Sequence, residues 1–385
     1  MKKINVCILL SVVLILTACA LSKPNNLISQ STADNDISKG DVPAVEYEPS
    51  QKTTYEDNNK GDSLYQIVSG NDYVVNPWIN DISEGETKTT SEKNSEIFLS
   101  VPTWFDYYDG LYFFVDCYHD QIIFNDNLDD PIYMWKVMDN TLARPHTIAC
   151  DGEVYMVDDT EENRIIVYQK NVGSDGGVYF ERIQEFVDMG EQPHYIYYDA
   201  ATEKFYGWSS KSGQMWVFKR SKDDKKVFLD ESYNIPALKD VYVRSFTFCD
   251  DKAYFVSGVG GSCSIFETTA DTFDVLREIP VAPEIGGMVQ MTKIQDYYYI
   301  TVSTSLYGEQ ELRNIIRTDS LDHLQVTQYE SLYDELIGTE YPGTPYNITY
   351  VNGEYCISVH REGLGAPVVH FQVEDNKIVN VGTYY

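Results

Sequence analysis

An all-β fold built from repeated four-stranded units is predicted for this chain of 385 residues. From residue 101 onward, short segments rich in Tyr, Phe, Val and Ile alternate with polar turns. A turn that begins with Asp or Asn, often followed by Gly, recurs between such segments and is a strong hairpin signal. No long segment shows the 3.6-residue periodicity of a helix. Together these features are typical of a β-propeller.

The recurring turn divides residues 63–385 into repeats of 42–56 residues, which is the length of one four-stranded blade. Six turns predict six blades. Residues 63–100 are less regular and would supply either a strand that closes the ring or a seventh blade. A pair of β-sandwiches is the competing fold, but it would not repeat the same turn at near-constant spacing. The turn residues are Asp109, Asp151, Asp199, Asp250, Asp296 and Asn352.

Residues 1–18 have the features of a secretory signal peptide. Two lysines precede an apolar run from Val6 to Leu16, which is too short to span a bilayer as a helix. The sequence Leu16-Thr17-Ala18-Cys19 then resembles the bacterial lipobox, and this resemblance implies cleavage before Cys19 and lipidation of its side chain. We therefore expect an extracytoplasmic lipoprotein anchored to the bacterial cell membrane. The alternative is an ordinary signal peptide followed by an unrelated cysteine.

Residues 19–62 are predicted to form a flexible linker between the lipid and the propeller. They are rich in Ser, Asn, Asp, Lys, Thr and Pro and contain few large apolar residues. Such a composition does not bury enough apolar surface to offset the entropy of ordering the chain.

The charge balance excludes several classes of partner. The chain has 60 acidic and 29 basic residues, a net charge of −31, and no basic stripe that would neutralise nucleic-acid phosphates. Attraction of the protein surface to anionic lipid is excluded for the same reason. The 31 tyrosines would either build the sheet framework or stack on sugars and peptides.

Five cysteines remain after the signal peptide and Cys19 are set aside. No CxxC motif or zinc-like Cys/His spacing is present. We interpret them as small hydrophobic residues on strands, with a disulfide framework as the alternative. They are Cys117, Cys150, Cys249, Cys263 and Cys356.

A ligand site is predicted at one mouth of the propeller channel. Residues that precede each innermost strand, and residues that end each second strand, would surround that mouth. His146 and His194 each follow a proline and occupy equivalent positions in neighbouring repeats. Two imidazoles would hold a divalent ion when neutral or an anion when protonated, whereas the structural alternative is that Pro-His fixes the backbone. The candidates are Trp104, Asp116, Arg144, His146, Asp158, His194, Trp208, Arg244, Tyr346 and His360.

Two repeats resemble those of streptogramin-lyase and NHL-like six-bladed propellers. Pro145-His146-Thr147-Ile148 is followed by Asp151-Gly152 and by Asn163-Arg164-Ile165-Ile166-Val167, and Pro193-His194 begins the next copy. The resemblance implies a six-bladed fold. In the lyases a channel-mouth histidine acts as base beside a divalent metal, and His146 and His194 match the Pro-His element.

Three functions are compatible with this pattern. The first is a non-catalytic, surface-anchored propeller whose channel face binds a peptide, a glycan or an envelope protein. The second is a metal-assisted lyase or hydrolase with a channel-mouth histidine as base, and only this one requires a divalent cation. The third is a scaffold within an envelope complex.

Overall fold

The computed structural model describes residues 45–56, 66–69, 99–222, 225–260, 262–306, 312–338, 342–361 and 367–384. The predicted signal peptide, the lipidation residue Cys19 and most of residues 63–98 lie outside these ranges. Within them, no helix is long and apolar enough to cross a membrane.

Six four-stranded antiparallel blades form the body of the molecule, which confirms the predicted propeller and its blade number. Two strands, β1 (Gln51–Glu56) and β2 (Gln66–Ser69), precede the blades in sequence. Blades one to three comprise β3 (Pro102–Tyr108), β4 (Leu111–Asp116), β5 (Gln121–Asn125), β6 (Lys136–Asp139), β7 (Ile148–Cys150), β8 (Val154–Asp159), β9 (Arg164–Val172), β10 (Val178–Phe186), β11 (Pro193–Asp199), β12 (Lys204–Ser209), β13 (Gln214–Arg220) and β14 (Val227–Asn234). Blades four to six comprise β15 (Val243–Cys249), β16 (Lys252–Ser257), β17 (Ser264–Thr269), β18 (Val275–Pro280), β19 (Gly287–Ile294), β20 (Tyr297–Thr304), β21 (Asn314–Thr318), β22 (Glu330–Ser331), β23 (Thr344–Val351), β24 (Glu354–His360), β25 (Val368–Glu374) and β26 (Lys377–Tyr384).

The six predicted turn residues all lie where the first strand of a blade meets the second. In blade one, Asp109 (φ 48°) and Gly110 (φ 82°) both adopt positive φ, as a type I′ hairpin requires. Blade two differs, because Gly152 has φ 94° whereas Asp151 stays outside the left-handed region. There the Asp151 carboxylate accepts hydrogen bonds from the amides of residues 153 and 154, at 2.9 Å each.

Blade three carries an N-terminal extension that the sequence analysis assigned to the flexible linker. Strand β1 pairs antiparallel with the outer strand β14, and β2 pairs with β1. Thr53 and Tyr55 are buried, and the Tyr55 hydroxyl lies 2.9 Å from the Ser232 hydroxyl. The linker prediction to residue 62 is therefore wrong for Gln51–Glu56. The backbone of β1 pairs an outer edge of blade three that would otherwise stay unpaired.

Buried apolar side chains fill the spaces between blades. Met156 and Val167 of blade two, for example, belong to one cluster with Ile196 and Phe218 of blade three. The innermost strands β3, β7, β11, β15, β19 and β23 surround the central channel. Neighbouring inner strands are also joined by side-chain hydrogen bonds.

The ring closes between blades six and one through such bonds. The Asn347 amide donates to the Thr103 carbonyl over 2.8 Å, and the Thr349 hydroxyl donates to the Phe105 carbonyl over 2.6 Å. On the other side of blade one, the Thr103 hydroxyl donates to the His146 carbonyl over 2.9 Å. All four strands of blade six come from the C-terminal end of the chain, so closure rests on side chains and packing.

Helical structure is limited to single turns in the described ranges. The segment 331–338 contains one α-helical turn, α1 (Tyr333–Leu336), followed by Gly338 at φ 79°. The five non-signal cysteines are free thiols, of which Cys117, Cys150 and Cys356 are buried. Short 3₁₀ turns span Cys117–His119, Ile132–Met134, Pro236–Leu238, Pro283–Ile285 and Leu321–His323.

Candidate functional site

A hydrogen-bonded pair of side chains, Gln290 and Tyr195, lies between two cavities of the central channel. The Gln290 amide of blade five donates to the Tyr195 hydroxyl of blade three over 2.9 Å, and both residues are buried. The Gln290 carbonyl oxygen in turn accepts a hydrogen bond from the Ile348 amide. The edge of the Trp104 ring meets the Tyr195 ring at a centroid distance of 5.7 Å. These side chains lie at the centre of the channel.

The upper cavity lies at the starts of the inner strands, where the sequence predicted a site. Its volume is about 130 Å³. The lower cavity lies at the ends of the inner strands and measures about 460 Å³. The upper cavity is defined by Tyr118, His146, His194, Tyr242, Arg244 and Tyr346. The lower cavity is defined by Trp104, Asp106, Tyr108, Tyr195, Phe246 and Phe248.

The two histidines of the upper cavity stack on each other. Their ring centroids are 3.7 Å apart and their planes differ by 27°. His194 Nδ1 lies 3.1 Å from the Arg244 carbonyl, to which it must donate. His194 Nε2 then accepts from the Tyr242 hydroxyl over 3.2 Å. His146 Nδ1 lies 2.9 Å from the Thr160 hydroxyl.

Burial keeps both imidazoles neutral at physiological pH. Burial, together with the nearby Arg244 cation, lowers the pKa of His194 to about 3. Burial and the neighbouring His194 also hold the pKa of His146 well below its ordinary value. Neutral imidazoles are able to bind a metal ion. They carry no positive charge, so an anion bound here would need another cationic group.

The geometry of the pair does not fit the divalent ion that the lyase resemblance implies. Imidazole nitrogens bind metals in the ring plane, but stacked rings do not direct their in-plane lone pairs at a common point. Both nitrogens of His194 are already hydrogen-bonded. Within the described ranges, no group of three or more His, Cys, Asp or Glu side chains is placed to hold a metal ion. We derive no metal-assisted step from these residues.

Asp158 and Asp116 lie beneath the upper cavity and hold the backbone. The fully buried Asp158 carboxylate accepts from the His146 and Thr147 amides at 2.9 and 2.7 Å, and from the Thr147 and Thr160 hydroxyls. Burial raises its pKa to about 7, against the effect of these hydrogen bonds. Asp116 accepts from the amides of residues 100 and 101 in the same way. Both acids fix the segment that leads into an inner strand.

Arg244 is the positive group of the upper cavity. Its Nη1 donates to the Ser303 hydroxyl over 2.8 Å, and its guanidinium lies 5.8 Å from the centre of the Tyr242 ring. In the described part of the chain, no carboxylate forms an ion pair with this guanidinium. Gly258 gives the side chain room, since a Cβ at residue 258 would lie 2.7 Å from Arg244 Cδ.

Three other predicted site residues occupy different places. The Arg144 guanidinium covers the Tyr118 ring at 4.4 Å, at the rim of the upper cavity. Trp104 belongs to the lower cavity. His360 ends strand β24, opposite Thr344 in the sheet register, and does not line either cavity.

Trp208 does not lie on the channel face. It is fully buried between blades three and four, where its ring centroid is 4.7 Å from that of Phe255. Its indole N–H donates to the Val243 carbonyl over 3.1 Å. The prediction took Trp208 as the end of the second strand, whereas the neighbouring Ser209 ends it. A shift of one residue along a strand moves a side chain to the opposite face.

The lower cavity was not predicted from the sequence. Its walls come from the second halves of the inner strands, and β3, β11 and β15 supply most of the aromatic residues. The signal was present in Trp104-Phe105-Asp106-Tyr107-Tyr108, which places an acid inside a strand among aromatic residues. Acidic residues are depleted in strands, so such a position calls for a specific reason.

Comparisons with known proteins show no family for this chain. No family model matches the sequence, and no curated protein matches it. Among solved structures, a Lactobacillus plantarum protein is 10% identical, with 87% of this chain and 96% of that chain covered, at a TM-score of 0.49. Hydrazine synthase from Kuenenia stuttgartiensis is 15% identical, with coverages of 75% and 80% and a TM-score of 0.48. A streptogramin B lyase is 15% identical, with coverages of 76% and 85% and a TM-score of 0.45. At these values the neighbours do not indicate what this chain does.

Proposed function

We propose that this chain is a surface-anchored lipoprotein whose propeller binds an extracytoplasmic ligand through the upper cavity, without catalysis. The ligand is a peptide, a glycan or an envelope protein that presents a carboxylate. The observation that carries this proposal is the Arg244 guanidinium, which faces the cavity without a carboxylate partner among the described residues.

The surroundings of Arg244 favour an anionic group over a metal ion. The two neutral imidazoles do not compensate the guanidinium charge, and Tyr118 and Tyr242 bring phenol groups to the same cavity. A guanidinium has five N–H donors, and the hydrogen bonds found within the described ranges engage Nη1 alone. The remaining donors match the geometry of a carboxylate. A volume of about 130 Å³ suits one such group rather than a whole ligand.

A carboxylate-terminated peptide tests the binding proposal. The probe is acetyl-Ala-Ala with a free carboxyl end, compared with the same peptide carrying a C-terminal amide. Titration is followed through the ring signals of isotope-labelled histidines, with His146 and His194 assigned from single His→Asn variants. We expect saturable shifts with the free carboxylate only, and a loss of affinity of about tenfold in Arg244→Gln.

The control variant is Arg277→Gln, which removes the same charge from the outer strand of blade four. Arg277 pairs with Glu267 and Asp322 and lies away from the channel. It should bind the peptide like the unchanged protein. Equal binding by the amide peptide, or no effect of Arg244→Gln, would contradict the proposal.

Anchoring is tested separately at Cys19. A Cys19→Ser variant lacks the sulfur to which the diacylglyceryl group would be attached, so it should remain unprocessed or leave the membrane fraction. Fractionation of cells grown with radiolabelled palmitate measures both lipidation and location. A variant that is cleaved, labelled and retained like the unchanged protein would remove the lipoprotein assignment while leaving the binding proposal standing.

A further inference from the structure

The lower cavity has the size and position of a small-molecule site. It lies on the propeller axis at the end opposite Arg244, and all six inner strands contribute to its wall. Its volume of about 460 Å³ falls within the range of protein ligand pockets. The hydrogen-bonded pair Tyr195 and Gln290 forms its floor.

Among the residues that the structure describes, Asp106 supplies the one carboxylate in the wall of this cavity. It accepts hydrogen bonds from the Tyr108 hydroxyl at 2.6 Å and from the Tyr107 amide at 2.8 Å. No cationic side chain of the described residues compensates its charge. Withdrawal from water raises the pKa of Asp106 to about 6, although Tyr108, the Tyr107 amide and the nearby Trp104 side chain lower it. An anion held in this way is stabilised when a cation binds beside it.

The cavity wall around Asp106 is aromatic. The planes of Trp104 and Tyr195 meet at 80°, those of Tyr195 and Phe246 at 71°, and those of Phe246 and Phe248 at 79°. Rings at such steep angles surround the space in different orientations. The face of an aromatic ring attracts cations, most strongly when water is excluded.

Three other polar side chains of the described wall are engaged within the protein. Gln290 is hydrogen-bonded through both its amide nitrogen and its oxygen. The Thr247 hydroxyl donates to the Met291 carbonyl, and the Thr349 hydroxyl donates to the Phe105 carbonyl. A sugar, which needs many hydrogen-bond partners, would depend on Asp106 and on tyrosine hydroxyls of the wall such as that of Tyr197. An ammonium group needs only the rings and the carboxylate.

We propose that the lower cavity binds ligands that carry an organic ammonium group. Asp106 is the counter-ion, and Trp104, Tyr195 and Phe246 form the ring wall. This site does not depend on the proposed carboxylate site, because the hydrogen-bonded pair Tyr195 and Gln290 lies between the two cavities. The net charge of −31 also attracts cations to the molecule.

Calorimetric titration of the full-length protein with choline tests the proposal. The matched neutral probe is 3,3-dimethylbutan-1-ol, in which carbon replaces the quaternary nitrogen. We expect choline to bind at least about tenfold more tightly than the neutral probe. Asp106→Asn should weaken choline binding by about tenfold and leave the neutral probe unaffected. Phe246→Leu should weaken choline binding severalfold.

Two control variants make the outcome decisive. Asp199→Asn removes a carboxylate at the end of the same inner-strand layer, outside the cavity wall, and should bind choline normally. Arg244→Gln should do the same, which separates this site from the upper cavity. Equal affinity for choline and its neutral analogue would overturn the proposal. So would binding of maltose, a neutral sugar, with an affinity that Asp106→Asn leaves unchanged.

Discussion

The two cavities of the propeller channel differ in charge, in volume and in the role of the nearby carboxylate. The upper cavity contains a cation, Arg244, beside two neutral imidazoles. The lower cavity is more than three times larger and holds one carboxylate, Asp106, among aromatic rings. A carboxylate also lies next to the upper cavity, but Asp158 is buried below its wall.

Comparison of Asp158 with Asp106 shows why a shifted pKa does not by itself identify a ligand site. Burial raises the pKa of both carboxyl groups, to about 7 and about 6 respectively. Asp158 accepts hydrogen bonds from four donors, two of which are backbone amides. Asp106 accepts from two donors and faces a cavity. The contacts therefore assign a structural role to Asp158 and a binding role to Asp106.

The largest effect is expected for Asp158→Ala. The substitution leaves the amides of His146 and Thr147 buried without an acceptor, so the free energy of unfolding should fall by about 2–4 kcal/mol. Chemical denaturation at pH 7 measures this loss. Asp158→Asn is the matched control, because it keeps one acceptor oxygen and should lose less. If the alanine variant is as stable as the unchanged protein, Asp158 does not hold the backbone, and the contrast with Asp106 disappears.

The fold was predictable because its signal is local and repeated. Each blade contains an Asp or Asn turn between two strands, and one such turn is readable without knowledge of the others. The strand Gln51–Glu56 gave no such signal. Its neighbours are polar, and only the outer edge of blade three, which is distant in sequence, makes Thr53 and Tyr55 into buried residues.

The candidate site was predictable only in its position around the channel. The repeat placed His146, His194, Arg244 and Tyr346 near one mouth of the channel, and these four residues line the upper cavity. It did not reveal that the two imidazoles stack, since stacking depends on the relative rotation of neighbouring blades. The lower cavity was missed because tyrosine and phenylalanine are also ordinary strand residues. These residues form a cavity wall only because the fold brings the six inner strands together around the channel.

The smallest change in stability is expected for Asp106→Asn. This variant tests whether Asp106 supports the fold as Asp158 does. The native-state pKa of about 6 exceeds the ordinary carboxyl value of 3.8, so the folded protein binds more protons than the unfolded chain between these values. Stability should therefore fall as pH rises through this window, and the full penalty remains above pH 6. Asparagine removes the charge, so the variant should be more stable than the unchanged protein by about 1–2 kcal/mol at pH 8, with the difference vanishing near pH 4. Melting curves across this range measure the difference, with Asp199→Asn as the control. A variant that is less stable at pH 8 would mean that the Asp106 carboxylate supports the fold as Asp158 does, and the lower cavity would lose its counter-ion role.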